Sequence, residues 1–335
     1  MRPAFLIMTA LAMAQSPVFR SDMRAVEVTL VATSRDGALV TDLRRDELRI
    51  FDNNREQNIA SFEKMDGAKG SGPADLADAH VTPASRRLSI IVIDALNTSW
   101  CSRDYGREAV SQVLGKLPQE DTDQIAIFAL GDELQLLHDF SNDKASLQEA
   151  VDDYDEEPPI IGVDQDDPYV PFGCPRMTPA TPKGPVAAFN QEERVSRTLD
   201  TFLKIAARMK SVRGEKSLLW VSEAFPPPPS HRGMERAVSE LAAAKVKLFP
   251  VDPAGLRGSQ VGTMEELTEP TGGRVFSGSN DIAALLQGAM DDSRRGYILT
   301  FSPAEYRADG SFHELRLKTS RKGVELFYRP SYLAQ

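Results

Sequence analysis

The chain has 335 residues and a formal charge of −10, enough length for one large hydrophobic core and one smaller, since domains commonly run ~100–200 residues. Its acidic balance repels nucleic acid and anionic lipid, which argues against both as partners. With two cysteines and four scattered histidines, it offers little for a thiol or histidine-rich metal cluster.

The N-terminus, MRPAFLIMTALAMAQS, joins a positive Arg2 to an apolar stretch from Ala4 to Leu11 and the small-x-small triplet Ala12-Met13-Ala14. That is the makeup of a secretory signal over residues 1–14, too short to span a bilayer. A frayed apolar helix is the alternative. No later segment approaches spanning length, so the expected mature protein is secreted or periplasmic. In an exported chain the even pair Cys101 and Cys174 reads as a disulfide.

Short alternating runs follow: Val26 to Thr33, Glu47 to Phe51 and Gln57 to Phe62, split by Asp36-Gly37 and Asp52-Asn53-Asn54. They have the punctuation of hairpins. The C-terminal runs Tyr297 to Phe301, Phe312 to Thr319 and Val324 to Tyr328 repeat the texture, with turns at Asp309-Gly310 and Lys322-Gly323. Neither set holds enough strands for a sheet of its own. Residues 19–64 and 297–333 are therefore expected to combine into one small antiparallel β-sandwich, the alternative being two separate appendages. Residues 65–86, rich in Gly, Ala, Asp and Ser, suit a flexible linker.

Between the flanks the apolar period switches repeatedly. RLSIIVIDALNTSW, Arg87 to Trp100, runs Ile90-Ile91-Val92-Ile93 into Asp94, with Asn97, Thr98 and Ser99 behind it. A buried strand that delivers an acid to its carboxyl end places it where ligands sit in open α/β sheets; a carboxylate among hydroxyl and amide oxygens suggests a hard-cation site. Asp94 as a simple turn or helix cap is the competing account. Ala109, Val110, Val113, Leu114 and Leu117 share a helical face, Gln124 to Ala129 reads as a strand, Gly131-Asp132 as a turn, Leu134 to Phe140 as a strand and Asn142 to Tyr154 as a short helix. From Asp155 to Pro185 an acidic, proline-rich loop carries Asp164, Asp166 and Asp167 but lacks the glycine and glutamate of an EF-hand. A long amphipathic helix, expected near Asn190, carries Val195, Leu199, Phe202, Ala206 and Met209. Ser217 to Val221 is a buried strand, and Met234, Ala237, Val238 and Leu241 mark a helix. Val246 to Val251 is a strand ending at Asp252, Arg274 to Phe276 a short one, and Ile282, Leu285, Leu286, Ala289 and Met290 a last helix. Strands alternating with long helices imply right-handed crossovers and a doubly wound, mostly parallel sheet over residues 87–296.

Strand-to-Asp94, Thr198, Ser222-Glu223, LTEPTGGRVF at 267–276 and GYILTFSP at 296–303 together resemble a von Willebrand factor A domain, in particular the exported VWFA-related proteins of acidobacterial type. The resemblance spans roughly Arg87 to Pro303. It implies a metal-ion-dependent adhesion site at the top of the sheet, holding Mg²⁺ (or Ca²⁺ or Mn²⁺), with a carboxylate from a protein ligand completing the shell. Position by position, Asp94 matches the first aspartate of the DxSxS motif and Thr98 its last serine, while Leu96 replaces the middle serine. Thr198 matches the threonine of the second loop, Glu223 stands for the aspartate of the third, and Asn97 is a candidate substitute through its carbonyl oxygen. The implied function is a non-catalytic protein-binding or adhesion module.

An enzyme would need more. No G-x-S-x-G elbow occurs, His313-Glu314 lacks the second histidine of a zinc-protease helix, and Gly214-Glu215-Lys216-Ser217 is no phosphate loop. A secreted hydrolase with a carboxylate-based site and a purely structural domain with a degenerate metal site are the alternatives. Pro226 to Pro229, just after Glu223, would hold the neighbouring loop extended and reduce the entropy lost on binding, or serve as a spacer.

Overall fold

The computed structural model describes residues 25–65, 87–118, 123–154, 185–212, 214–228, 230–257, 260–303 and 311–334. The expected signal at 1–14, linker residues 66–86, the acidic loop 155–184 with Cys174, and the Asp309-Gly310 turn lie outside them.

In chain order the elements are β1 (Val26–Ser34), β2 (Leu48–Asp52), β3 (Arg55–Gln57), β4 (Ile59–Met65), β5 (Leu88–Asp94), α1 (Trp100–Lys116), β6 (Gln124–Leu130), β7 (Leu134–Ser141), α2 (Lys144–Asp152), α3 (Pro185–Met209) and β8 (Lys216–Val221). They continue with α4 (Arg232–Ala243), β9 (Val246–Val251), α5 (Val261–Thr268), α6 (Ile282–Arg294), β10 (Gly296–Phe301), β11 (Phe312–Thr319), β12 (Val324–Tyr328) and β13 (Ser331–Leu333).

The central sheet runs β7-β6-β5-β8-β9. β6, β5, β8 and β9 are parallel, and β7 returns antiparallel to β6. Both faces are covered, so alternate residues of one strand enter different cores. Ile90, Val92, Leu218 and Trp220 pack with α3 and α4 through Phe202, Leu199 and Leu241. Ile91, Ile93, Leu219 and Val221 pack with α1 and α6 through Val110, Leu114 and Met290. Strands buried on two sides read as unbroken apolar runs. The expected strand at Arg274 to Phe276 reduces to a single bridge between Phe276 and Val251, and α5 follows β9 where periodicity showed no helix.

Both flanks contribute to two antiparallel four-stranded sheets, β12-β1-β10-β4 and β13-β11-β2-β3. Leu30, Leu299 and Phe301 of the first and Ile50, Leu315 and Leu317 of the second share one hydrophobic cluster. The run Gln57 to Phe62 is not one strand: β3 pairs with β2, and β4 crosses to β10 in the other sheet. Asn53 and Asn54, at φ 46° and 66°, make the left-handed hairpin turn between β2 and β3.

Arg274 ties the sandwich to the α/β layers. It pairs with Asp292 of α6, donates to Gly37 O at 3.1 Å, and lies over the rings of Phe276 and Phe327 at 4.3 and 5.8 Å. Just before it, a Cβ on Gly273 would run into the backbone carbonyl of Leu248; this close approach to β9 requires glycine.

A candidate polar site at the carboxyl end of the sheet

β5 ends at Asp94 and its neighbour β8 at Val221, so the loops Ala95–Ser99 and Ser222–Glu223 leave the same edge of the sheet. The chain passes from β5 to α1 on one face, whereas α3 and α4 cover the other, which makes this edge a topological switch point.

Asp94 is 1 % exposed and takes four hydrogen bonds from protein donors. Its Oδ1 accepts from Asn97 N at 3.0 Å, and its Oδ2 accepts from Asn97 Nδ2, Trp220 Nε1 and Ser222 Oγ, each at 2.8 Å. Burial pushes its carboxyl pKa above the ordinary aspartate value, and the bonds from Asn97, Ser222 and Trp220 oppose that shift. The Trp220 ring is fixed edge-on against Phe202, centroids 5.1 Å apart, so the indole N–H is held in place by packing on α3.

Asn97 bridges two elements. Its Nδ2 also donates to Thr198 Oγ1 at 2.7 Å, and that hydroxyl donates to Arg194 O at 2.9 Å. Thr198 thus joins Asp94 on one rim as the resemblance implied, but from the middle of a helix. α3 begins at Pro185, ahead of the expected Asn190, and Thr198 lies on it, where the family pattern has a threonine of the second loop. Asn97, expected to offer its carbonyl oxygen, presents its amide nitrogen instead.

Thr98 and Glu223 belong to a neighbouring network. Glu223, 4 % exposed, accepts from Ser99 Oγ at 2.8 Å and from Ser99 N at 3.1 Å; the Ser99 and Ser102 hydroxyls lie 3.1 Å apart. Thr98 Oγ1 accepts from Glu223 N at 3.3 Å. Burial raises the Glu223 pKa, the serine bonds lower it in part, and the nearby charge of Asp252 raises it further. Next to it, Ala224 sits at φ 57°, a left-handed backbone that costs a non-glycine residue about 1 kcal/mol or more. Its N–H donates to Ser222 Oγ at 2.8 Å, which closes this turn.

A resident divalent cation does not fit this arrangement. A carboxylate offers about four acceptor sites, and all four bonds to Asp94 come from the chain; the position between Asp94 and Thr198 holds a nitrogen whose hydrogens face both oxygens. Among the described residues no group of three or more His, Cys, Asp or Glu side chains is arranged to hold a metal ion. Trp220 and Ser102 were not singled out in the sequence, and Ser99 and Ser222 entered only as neighbours of Asp94 and Glu223. Trp220 reads as a core aromatic, and only its place one turn of the pleat before Ser222, at a strand end, hints that its N–H faces the acid. Cys101 lies in the first turn of α1; Cys174, its expected partner, lies outside the described residues.

No protein-family model matches the chain, and no curated protein matches its sequence. Solved structures resemble it distantly. A von Willebrand factor type A protein from Catenulispora acidiphila has 9% identity and a TM-score of 0.43, covering 94% of this chain and 74% of that one. The manganese-loaded TRAP protein of Plasmodium vivax has 11% identity and a TM-score of 0.41, covering 80% and 96%. An aerotolerance-related membrane protein from Bacteroides fragilis NCTC 9343 has 10% identity and a TM-score of 0.39, covering 62% and 98%. Similarity at this level carries no statement about the site or the activity of this chain.

Proposed function

We propose that this chain is a non-catalytic protein-binding module of von Willebrand factor A-like type, exported from the cell, that meets its partner on the rim at the carboxyl ends of β5 and β9. The observation that carries this reading is an apolar pair at a concavity. Tyr105 is 58% exposed and Leu256 71% exposed, and both line a cavity of about 630 Å³ between α1, the turn after β9 and the start of α6. Its wall includes Ser102, which joins it to the Glu223 network. An exposed tyrosine beside a preformed hollow is a usual anchor of a protein interface, and the exposed leucine adds apolar area for a partner to bury. The polar network beneath is internally bonded and holds the rim rigid, which lowers the entropy lost on association.

A metal-dependent form of this reading has Asp94, Thr98, Thr198, Glu223 and Asn97 hold Mg²⁺, Ca²⁺ or Mn²⁺ for a partner's carboxylate. It would require displacing the Asn97, Trp220 and Ser222 donors from Asp94, so the geometry supports the metal-free form. No helix among the described residues is long and apolar enough to cross a membrane, which is compatible with export.

Peptide display on the purified protein tests the reading. Peptides selected on the wild type are titrated against Tyr105→Ser and Leu256→Ser, and each variant is expected to weaken binding about tenfold or more, the loss of one interface anchor. Unchanged affinity in both variants would move the recognition face elsewhere.

A further inference from the structure

β7 is the outermost strand of the central sheet, and among the described residues no strand pairs with its outer side. Its two faces are covered unequally. On one, α2 adds Leu147 and Val151 to the cluster against which Leu137 packs. On the other, α3 lies over the middle of the sheet, where Phe202 meets Trp220 of β8, and a cavity of about 840 Å³ stays open between α3 and the strands β6 and β7. Phe128, Leu130, Leu134, Leu136 and Ile205 supply its apolar lining, and Leu136 is 43% exposed. An edge strand beside a helix, with an apolar furrow between them, is the layout in which an extended peptide adds itself as a further strand and sends alternate side chains into the furrow. The lower part of β7 is closed to this: its register with β6 is irregular there, and Asp139 Oδ1 accepts from Phe140 N at 2.8 Å. Bulges and charged side chains are the means by which edges are protected from added strands. From Leu134 to Leu136 the register is regular and neither device is present.

Charge gives the furrow a direction. At its upper end Arg197 is neutralised by Asp132 at 3.2 Å and Glu193 at 2.9 Å. From that contact β7 and α3 both descend, the strand by ~3.3 Å and the helix by ~1.5 Å per residue, so Leu136 comes level with the turn from Lys204 to Arg208. Both of these bases line the furrow, and neither has an ion pair among the described residues. The acids Glu133 and Asp200 of the lining sit higher. We infer that the groove between β7 and α3 is a recognition surface for an extended protein segment, bound by strand addition to β7, with an apolar side chain set against Leu134 and Leu136 and an acidic one two residues away facing Lys204 and Arg208. A spacing of two puts both side chains on one face of the added strand. This surface lies on the α3 face of the sheet, away from the rim of Tyr105 and Leu256, and goes beyond the function proposed there.

Display of two short-peptide libraries on the full chain tests this. One fixes an apolar and an acidic residue two apart, in either order, among random polar positions; the other has lysine in place of the acid. The first is expected to yield binders and the second none. A selected peptide is expected to lose about tenfold or more in affinity against Leu136→Ser and against the double variant Lys204→Glu, Arg208→Glu, and to bind Tyr105→Ser as it binds the wild type. Hydrogen exchange should show new protection of amides between Leu134 and Leu137 on binding, which side-chain contact alone would not produce. These side chains are on the surface, and melts confirm that the variants fold; Lys204→Gln with Arg208→Gln replaces the charge reversal if that lowers the Tm. The inference is overturned if the acidic library yields no binders, if the lysine library does as well, if the charge variants bind unchanged, or if exchange in β7 does not move. It is also overturned by a chain that sediments as a dimer until Leu136→Ser separates it, since a second copy would then hold the edge. A selected peptide lost with Tyr105→Ser would lie on the rim, which removes this surface and keeps the rim reading; a rim that binds nothing leaves this surface standing.

Discussion

Trp220 donates its indole N–H to Asp94 Oδ2 at 2.8 Å, so the end of β8 is bonded to the tip of β5 by side chains as well as by the ladder. Removing the acid strands four donors at once. Asp94→Ala is expected to lower stability by about 3 kcal/mol or more, since unpaired buried donors cost about 1–3 kcal/mol each. Trp220→Phe keeps a ring against Phe202 but deletes one donor and part of the buried indole, so about 1–2 kcal/mol is expected. Urea unfolding with both variants checks this order: a smaller loss for Asp94→Ala than for Trp220→Phe would refute the saturated-carboxylate account.

Arg274 should act as a clasp between the layers. Its partner Asp292 has a side chain 1% exposed, and truncating one member of a buried pair typically costs 3–5 kcal/mol. Arg274→Ala is expected to lose about that much. Arg274→Lys should recover little of it, because a lysine cannot keep the planar stacking on Phe276 and Phe327 together with bonds to Asp292 and Gly37. Denaturant midpoints measure the loss, and limited proteolysis of Arg274→Ala should cut within the flanks first.

Lys247 on β9 is 8% exposed, and burial lowers its pKa below the ordinary lysine value of 10.5, with Glu215 opposing the shift. The charged form is the one the fold disfavours, so in the window between the lowered value and 10.5 the unfolded chain binds more protons. Stability should therefore rise with pH across that window. Lys247→Met is expected to raise stability at neutral pH by about 1 kcal/mol and flatten that rise. Melts from pH 7 to 10 read both effects; a Tm that falls in the variant would show Lys247 to be a net stabilising partner.

The expected Cys101–Cys174 bridge predicts no titratable thiol in denaturant without reductant. It would close a loop of ~70 residues, worth about 4 kcal/mol in the chain-entropy model. Two free thiols per chain, or a Tm indifferent to reductant, would remove the bridge.

Much of the central layer was legible because burial on both faces leaves a simple mark. β5 and β8 are unbroken apolar runs, and the helical faces of α1, α3, α4 and α6 are spaced by 3.6 residues. Asp94 stood out because an acid closes such a run. Hydrogen-bond partners leave no comparable mark. Trp220 counts as apolar in any periodic pattern although its N–H is what reaches the acid, and Asn97 exposes a donor or an acceptor according to neighbours that only the fold supplies. The start of α3 was read late because its apolar spacing is clearest from Val195 onward, which hides its earlier turns. In the flanks, β3 and β4 read as one strand because alternation does not reveal which sheet a residue joins, and three-residue β13 is too short to carry a period at all.

Val26 pairs with Phe301 and Leu30 with both Tyr297 and Tyr328, so the first of the described strands waits for nearly the last. During synthesis β1 and β4 have no partners until β10 and β12 arrive, and such long-range pairing is slow. Bare edges of that kind invite other chains to add on. A polypeptide shortened before Gly296 should therefore emerge with its central layer able to fold and its leading strands prone to aggregate.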